Sequence, residues 1–337
     1  MNSITGIFNR NTKVNHAFFT AIAISTLLIT SNYRVTAQSK DEWPCFHGPD
    51  RTNKSPETGL AQGWPSGGPR LLLTMEGLGE GYSSVSIADG LLYTAGSVNK
   101  QPFVYAFDLK GKLVWKKPVG KAWSTTASWA SSYTGPRSTP TYDNGVIYFL
   151  GEMGRLVAFE AKTGRLLWTV DVINQQECNI GDAVLFKDYV FISSGYAKGS
   201  MLYRLNLSGK EIKPEKIWES ALMDNHHGGV ILHNGYVYGS GSRGSRGWHC
   251  LDVMTGKQMW KTTNDEGCIT YADGMLYTLD QRGTMRLVRA TPGKYEVTGE
   301  FKVPSGGTGM HWAHPVICGK RLYIRHADKI FVYDVSR

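Results

Sequence analysis

The clearest pattern along this chain is a short apolar run that recurs about every 40 to 55 residues. Each copy opens with a tight turn and continues with apolar residues at alternate positions, as at Val146, Tyr148 and Leu150. Alternation with period two predicts a strand, and Asn-Gly or Asp-Gly supplies the positive φ angles that a two-residue hairpin requires. The copies begin at Asp89, Asn144, Lys187, Asn234, Asp273 and Gly319.

Three more runs complete each unit. A run of small residues precedes each turn, and a second run after the turn ends at an acid, Asn or Ala. The last run ends in a large apolar residue, at Trp115, Trp168, Trp218, Trp260 and Phe301. No stretch of residues 70–337 combines a helical period with helix start and stop signals. Four-stranded units without helices predict an all-β fold, a β-propeller in which each blade is one antiparallel sheet.

The ends of the chain determine the predicted blade count. The last unit stops at Arg337 after its third strand, and residues 70–75 form an apolar run with no unit of their own. An N-terminal strand that pairs with the last blade would close the ring and remove open sheet edges. This arrangement predicts about six blades in residues 70–337. A seventh blade is the alternative if residues 121–133 form a degenerate unit.

Two units share one motif. It runs Ala158-x-Glu160-x-x-Thr163-Gly164-x-x-x-Trp168 in one unit and Cys250-x-Asp252-x-x-Thr255-Gly256-x-x-x-Trp260 in the other. This spacing resembles the tryptophan-docking motif of the pyrroloquinoline-quinone (PQQ)-like repeat family, which includes quinoprotein alcohol dehydrogenases and BamB-like envelope proteins. The WPCFHGP run at residues 43–49 is also similar to the start of many exported PQQ-like repeat proteins. The resemblance spans about residues 43–337 and implies the propeller fold.

The motif residues have structural roles. The acid caps a turn, the Gly takes its left-handed position and the Trp wedges against the neighbouring blade. We assign these turn and docking roles to Asp108, Gly164, Trp168, Asp252, Gly256 and Trp260. Departures from the motif include the Asp108–Trp115 interval, which is one residue short and lacks the Thr.

The first residues predict export. A weakly basic start is followed by the apolar run Ala17–Ile29 and by Val35-Thr36-Ala37, the three parts of a secretory signal peptide. The run is shorter than the ~20 residues that span a bilayer. We therefore expect a signal peptide at 1–37, an extended segment at 38–69 and the propeller at 70–337. The protein is then periplasmic or extracellular, soluble after cleavage and not membrane-spanning.

Composition narrows the choice of partners. The 337 residues are 41% hydrophobic and carry a net charge of +9 without a Lys/Arg block. Without a basic patch, no nucleic-acid partner is expected. The five cysteines form no C-x-x-C motif, and their odd number leaves at least one thiol unpaired in a monomer, the expected state. Most of these cysteines are expected to be small buried hydrophobes.

One set of polar residues is expected to converge near an end of the channel. We align the first strand of each unit by its distance from the turn. The polar residues then fall at two positions near the start of the strand, two residues apart. Because alternate residues of a strand share a face, side chains at both positions are expected to point the same way. These positions hold Arg137, Asp182, His227, Glu266, Cys268, Trp312 and His314, with His226 and His311 adjacent. Such types bind metals, move protons or hold anionic and sugar-like ligands. The alternative is that they satisfy one another and ordered water in a wet channel.

We select the ligand-binding candidates Arg137, Asp182, His227, Glu266, Trp312 and His314. Weaker metal candidates are His226, His227 and His314, and no catalytic residue is assigned. The G-x-G-x-x-G run at residues 239–244 leads into a strand rather than a helix, so it predicts a hairpin loop and no phosphate site.

The family resemblance raises the question of a cofactor. Quinoprotein dehydrogenases bind PQQ with Ca²⁺, often beside two adjacent cysteines that this chain lacks. We expect no cofactor, with PQQ and Ca²⁺ as the alternative. The leading hypothesis is an exported, non-catalytic scaffold that binds a protein or small-molecule ligand at the channel-end surface.

Two further functions stay open. One is a small PQQ-dependent oxidoreductase, with Trp312 as a stacking surface and Asp182 or Glu266 as the base. The other is an envelope-assembly partner similar to BamB.

Overall fold

The computed structural model describes residues 42–124, 134–153, 155–171, 184–206, 213–263 and 265–337, and no helix occurs among them. The described strands form six sheets of four strands, which we number as blades 1 to 6. The first strand along the chain, β1 (Leu71–Met75), belongs to blade 6. Blades 1 to 3 contain β2 (Ser86–Ala88), β3 (Leu91–Val98), β4 (Gln101–Asp108), β5 (Leu113–Pro118); β6 (Thr141–Asp143), β7 (Val146–Leu150), β8 (Arg155–Glu160), β9 (Leu166–Asp171); and β10 (Val184–Phe186), β11 (Tyr189–Ser194), β12 (Gly199–Asn206), β13 (Lys213–Ser220).

The remaining blades repeat this arrangement. They contain β14 (Val230–His233), β15 (Tyr236–Gly241), β16 (Gly247–Asp252), β17 (Gln258–Lys261); β18 (Gly267–Ala272), β19 (Met275–Asp280), β20 (Thr284–Arg289), β21 (Val297–Lys302); and β22 (Val316–Cys318), β23 (Arg321–His326), β24 (Lys329–Asp334). The all-β, propeller-like prediction is confirmed.

The turns have the predicted backbone geometry. Asn144 and Gly145 between β6 and β7 have φ values of 45° and 83°, and Asn234 and Gly235 between β14 and β15 have φ values of 50° and 82°. Two consecutive positive φ angles define the hairpin turn that joins strands without splaying them. The Asn-Gly and Asp-Gly pairs therefore set the hairpin registers locally.

Blade 6 combines both ends of the propeller segment. Strand β1 pairs antiparallel with β24, with Leu71 opposite Tyr333 and Met75 opposite Ile330. This is the predicted pairing of the N-terminal strand with the last blade. It gives β24 a neighbour on each side, so its backbone groups are not left at an open sheet edge.

The hydrophobic core lies between blades. Each described core cluster draws on two neighbouring blades, and such clusters join blades 1 and 2, 3 and 4, 4 and 5, 5 and 6, and 6 and 1. Residues 172–183, before blade 3, lie outside the described part of the chain, as do 125–133 from the predicted seventh unit. Closure of the whole ring and the blade count therefore stay predictions.

Aromatic residues on the outermost strands dock onto the next blade. The indole Nε1–H of Trp115 donates to the Ala161 carbonyl at 2.8 Å, and that of Trp260 donates to the Thr291 carbonyl at 2.8 Å. Trp218 makes the equivalent bond at 3.0 Å. Each contact buries a large ring and satisfies its single polar atom. The docking residues therefore hold consecutive blades at a fixed spacing.

The other assigned turn residues lie around these contacts. Asp108 Oδ1 accepts hydrogen bonds from the backbone N–H groups of Lys110 and Lys112, both at 2.9 Å, and Asp252 Oδ1 caps the equivalent turn. Trp168 packs against Tyr148 of its own blade, with ring centroids 5.9 Å apart, and is 42% exposed. The chain segment equivalent to its docking partner lies outside the described residues.

The N-terminal segment crosses one end of the space between the first strands. Trp43 exchanges two backbone hydrogen bonds with Ile87 in β2, at 2.7 and 2.8 Å. Farther along, Asn53 bonds to Ile269 and Thr270 in β18, and Glu57 accepts a 2.6 Å bond from the Lys320 backbone N–H of blade 6. Residues 42–60 thus tie several blades together at the end where the Asn-Gly and Asp-Gly turns lie.

Gly256 tests the docking contact. A Cβ atom at Gly256 would lie 2.8 Å from the Trp218 ring, whereas a Cβ at Gly235 would meet nothing within 4 Å. Both have positive φ, 69° and 82°, so alanine costs about 1–2 kcal/mol of backbone strain at either position. Gly256→Ala should lower the free energy of unfolding by about 1–3 kcal/mol more than Gly235→Ala, because the indole must move. Equal losses in chemical denaturation would contradict this account of the docking.

Candidate functional site

The open end of the fold carries a cavity of about 270 Å³, which we call the mouth. Residues just before the first strands line it, together with the turns between second and third strands. Both sets meet there because the second strand of each antiparallel blade returns to the end where the first began. The lining residues are Tyr196, His226, Ser242, Arg243, Arg246, Glu266, Gln281, Met310 and Trp312.

Trp312 is the aromatic centre of the mouth. Its ring packs against His227, with centroids 4.7 Å apart, and against Tyr82 at 5.4 Å. Its indole Nε1–H donates to Gln281 Oε1 at 3.3 Å. Contacts from three separate segments hold the ring in one orientation, so it is a rigid surface for a ligand.

A polar chain continues from Trp312 along the rim. Gln281 Nε2 donates to Glu266 Oε1 at 2.6 Å, and Arg246 Nη2 approaches the same oxygen at 3.4 Å. The Glu266 side chain is only 13% exposed, so its charge is compensated by these donors rather than by bulk water. The carboxylate is thereby fixed in position beside the indole.

His226 and His227 form a hydrogen-bonded pair at the mouth. Their Nδ1 atoms are 3.2 Å apart, and His226 Nε2 lies 3.0 Å from the Tyr196 hydroxyl. One of the two Nδ1 atoms must carry a proton and donate the hydrogen bond, and the other must accept that bond. Burial lowers the pKa of both imidazoles, with that of His227 falling to about 3. Both rings are therefore neutral at pH 7.

His314 lies deeper, against the N-terminal segment. Its Nε2 lies 2.7 Å from the His227 carbonyl oxygen, which can only accept, so this Nε2 carries the proton. In the neutral ring Nδ1 is then an acceptor, and it receives the Nε2–H of His47 at 3.2 Å. The sequence analysis did not anticipate this contact, which joins the floor of the mouth to residues 42–60.

Asp224 organises the loops that carry Tyr196 and Arg243. Its carboxylate accepts backbone N–H bonds from Ala197, Ser242, Gly244 and Ser245 at 2.8–3.1 Å. Burial alone would raise its pKa, but these bonds and the Ser245 hydroxyl favour the charged form and lower it. The G-x-G-x-x-G run is thus a hairpin loop, as predicted, and its N–H groups surround a carboxylate of the same chain.

The structure brings some sequence-predicted residues together and separates others. His227, Glu266 and Trp312 lie at the mouth, and His314 lies beneath it. Arg137 is exposed beside Trp123, with its guanidinium carbon 5.7 Å from that ring, and is not among the residues lining the mouth. Asp182 lies outside the described residues.

Sequence analysis missed other residues of the site. Tyr196, Arg243, Arg246 and Gln281 come from turns between second and third strands, which were not aligned. The antiparallel order of the predicted blades could have identified these residues, because it places the turns between second and third strands beside the starts of the first strands. No sequence motif marks Asp224, because its hydrogen-bond partners come from separate loops.

Among the described residues, no three His, Cys, Asp or Glu side chains are grouped to hold a metal ion. Calcium takes about six to eight oxygen ligands. Glu266, the carboxylate among the residues that line the mouth, is hydrogen-bonded to Gln281 and Arg246. The described donors around the mouth therefore do not fit a calcium–quinone centre. Four buried cysteines are free thiols, and Cys178 lies outside the described residues.

One protein-family model matches part of this chain. Residues 55–212 match the family model described as outer membrane protein assembly factor BamB. Over residues 55–212 the chain therefore resembles the PQQ-like repeat family. The resemblance that the docking motif suggested is thus confirmed. No curated protein sequence matches the chain.

Solved structures with a similar fold include BamB from Moraxella catarrhalis. That match has 15% identity, covers 75% of this chain and 82% of that chain, and has a TM-score of 0.38. A europium-containing methanol dehydrogenase matches at 14% identity over 85% and 69%, with a TM-score of 0.31. Quinohemoprotein alcohol dehydrogenase from Comamonas testosteroni matches at 15% over 86% and 58%, with a TM-score of 0.32. Such similarity says nothing about the activity of this chain.

The described residues contain no helix that is both long and apolar enough to cross a membrane. The predicted signal peptide at 1–37 lies outside them.

Asp224 predicts a pH-dependent stability. The pKa of Asp224 is lower in the folded chain than the ordinary value of about 3.9. The charged carboxylate therefore stabilises the fold fully above that pH, and this stabilisation is lost as the pH falls through the folded-state pKa. Asp224→Asn should cost about 1–3 kcal/mol at pH 7, and this cost should shrink below about pH 4. Melting temperatures measured from pH 2 to 7 test this.

The control for that experiment is Asp188→Asn. Asp188 forms an exposed ion pair with Arg204 at 3.0 Å, which is worth at most about 1 kcal/mol. A cost of Asp224→Asn that does not change with pH would contradict a stabilising carboxylate.

Proposed function

We propose that this protein is an exported, non-catalytic binding propeller of the cell envelope that captures an anionic ligand at the mouth. The observation that carries the proposal is the placement of Arg243 and Arg246 beside the fixed rings of Trp312 and Tyr196 around one cavity. The match of residues 55–212 to a model described by an outer membrane assembly factor supports an envelope location.

The charges at the mouth favour an anion. Two guanidinium groups line the cavity with one carboxylate, Glu266, and the imidazole of His226 is neutral at pH 7. Arg243 lies over the Tyr196 ring, with its guanidinium carbon 5.1 Å from the centroid, so its charge is held beside the cavity. Guanidinium groups bind carboxylates through paired hydrogen bonds.

The aromatic groups favour a flat or sugar-like body on that anion. Trp312 and Tyr196 both line the cavity, and each ring contacts a histidine ring. An aromatic surface with a few fixed polar groups is the usual composition of a small-molecule site. The proposed ligand is therefore a carboxylated sugar or a similar planar acid.

The polar groups of the mouth suit binding better than proton transfer. Glu266 accepts hydrogen bonds from Gln281 and Arg246, so its lone pairs are already engaged. The two histidines bond to each other and to Tyr196. Such a lining is preorganised to hold a ligand, and this supports a scaffold over an oxidoreductase.

A carboxylated sugar tests the site. Glucuronate, with neutral glucose as its matched analogue, is titrated while tryptophan fluorescence is recorded. Glucuronate should saturate the protein, and Arg243→Ala and Trp312→Ala should each weaken binding about tenfold or more, the loss expected for a charge-assisted contact. Lys257→Ala, an exposed cation on blade 4, should change nothing. If glucose bound as tightly as glucuronate, or if Lys257→Ala weakened binding as much as the two mouth variants, the site would not be an anion site.

The oxidoreductase alternative needs a readout of catalysis. PQQ carries carboxylates and could occupy a cationic mouth without reacting, so calorimetric binding alone does not decide. We expect no dye-linked alcohol oxidation after reconstitution with PQQ and Ca²⁺ or Zn²⁺. Oxidation that requires PQQ, and that is lost in Trp312→Ala, would overturn the non-catalytic proposal.

A further inference from the structure

A second cavity lies on the outer side of the fold, between blades 1 and 2. It has a volume of about 470 Å³, and we call it the outer cleft. Val157, Phe159 and Leu166 supply its apolar surface. Lys117, Arg155 and Arg165 supply its cationic rim. None of the residues around the mouth contributes to it.

The outer cleft lies beside the docking contact of these two blades, to which its lining residue Phe159 belongs. The Trp115 ring packs against Phe159, with centroids 5.9 Å apart, and is buried. The corresponding contacts between later blades are Trp218 on blade 4, Trp260 on blade 5 and Phe301 against Tyr333, the last two rings having centroids 4.8 Å apart. The same surface therefore recurs within this one chain and can be compared between blades.

At two of these interfaces the chain covers the docking residue with a further aromatic ring. Tyr295 packs edge-on against Trp260, with centroids 5.3 Å apart. Trp64, from the extended N-terminal segment, packs edge-on against Phe301 at 5.4 Å and is 9% exposed. Trp115 contacts Tyr93 of its own blade at 6.0 Å, as Trp260 contacts Tyr238 of its own blade at 5.9 Å. Beyond Tyr93, no further ring among the described residues packs on the Trp115–Phe159 pair, and the open volume of the cleft lies beside it. The occupant that this fold selects at such a surface is an aromatic side chain.

The rim adds a preference for negative charge. The lining contains three cations and no Asp or Glu. Arg165 pairs with Glu160 at 3.5 Å, but its side chain is 67% exposed, so this ion pair competes only weakly with a ligand. Leu166 is 53% exposed and extends the apolar surface towards solvent. An occupant with acidic groups next to its aromatic ring matches both properties.

We propose that the outer cleft binds a partner polypeptide through an aromatic side chain flanked by acidic residues. The ring would pack beside Trp115 and Phe159, as Trp64 packs on Phe301, and the flanking carboxylates would pair with Lys117, Arg155 and Arg165. Trp64 shows that an extended segment can deliver such a ring. This site is separate from the mouth and does not depend on its function.

A labelled peptide tests the proposal. The probe is an acetylated, fluorescein-labelled Asp-Glu-Trp-Asp-Glu pentapeptide, followed by anisotropy on the whole protein. We expect saturable binding that weakens at least tenfold when the Trp is replaced by Ala or the acids by Lys. Because these changes are made in the peptide, they cannot affect the folding of the protein.

Variants then locate the site. Arg165→Glu should weaken peptide binding at least fivefold, whereas Lys257→Glu, at the equivalent position of the repeat in blade 4, should not. Thr169→Trp, which places a ring of the chain's own into the cleft, should also abolish binding. Trp312→Ala should leave it unchanged. Melting temperatures confirm that the variants are folded.

Four results would overturn the proposal. They are the absence of saturation, equal binding of the Ala peptide, equal losses in Arg165→Glu and Lys257→Glu, and loss of binding in Trp312→Ala, which would place the peptide at the mouth. Dodecanoate binding that depends on Arg165, without peptide binding, would assign the cleft to an anionic amphiphile instead.

Discussion

The docking of an outer-strand aromatic residue onto the next blade is the interaction on which the rest of this structure depends. The Trp115 indole is buried and that of Trp260 is half-buried, and each donates its one N–H group to a backbone carbonyl of the following blade. A glycine beside the ring, as Gly164 is beside Trp115 and Gly256 beside Trp218, keeps the approach free of a Cβ atom. Hydrophobic area, one hydrogen bond and steric fit together fix the spacing between sheets. Once that spacing is fixed, the first strands of successive blades are held side by side.

The two ends of these first strands then become chemically different. At one end residues 42–60 add backbone hydrogen bonds to several blades and bring His47 against His314. At the other end the strand starts and the returning turns leave the mouth. Asp224 stabilises that end because its buried charge is balanced by N–H groups from two loops, which places Tyr196 and Arg243 beside the cavity. The N-terminal segment thus covers part of one end, and the described cavity lies at the other.

The mouth and the outer cleft are built differently. The mouth holds polar groups that are already hydrogen-bonded to one another, as Gln281 is to Glu266. The outer cleft repeats an interface that the chain elsewhere fills with Tyr295 or Trp64, so its shape is set by the repeat and its rim by Lys117, Arg155 and Arg165. The two cavities share no lining residue, so each can be altered by substitution without changing the other.

The sequence by itself determined the all-β class, the turns, the docking residues and the pairing of residues 70–75 with the last strand, because these depend on local period and spacing. Strand alternation also predicted that His227, Glu266 and Trp312 lie in one region. Arg137, which the same alignment grouped with them, lies beside Trp123 and is not among the residues that line the mouth. Only the tertiary structure decided the partners of Asp224, the contact of His47 with His314 and the contribution of Gln281. Those side chains meet across long sequence separations, and their positions follow from how sheets pack and where loops return, which no local pattern records.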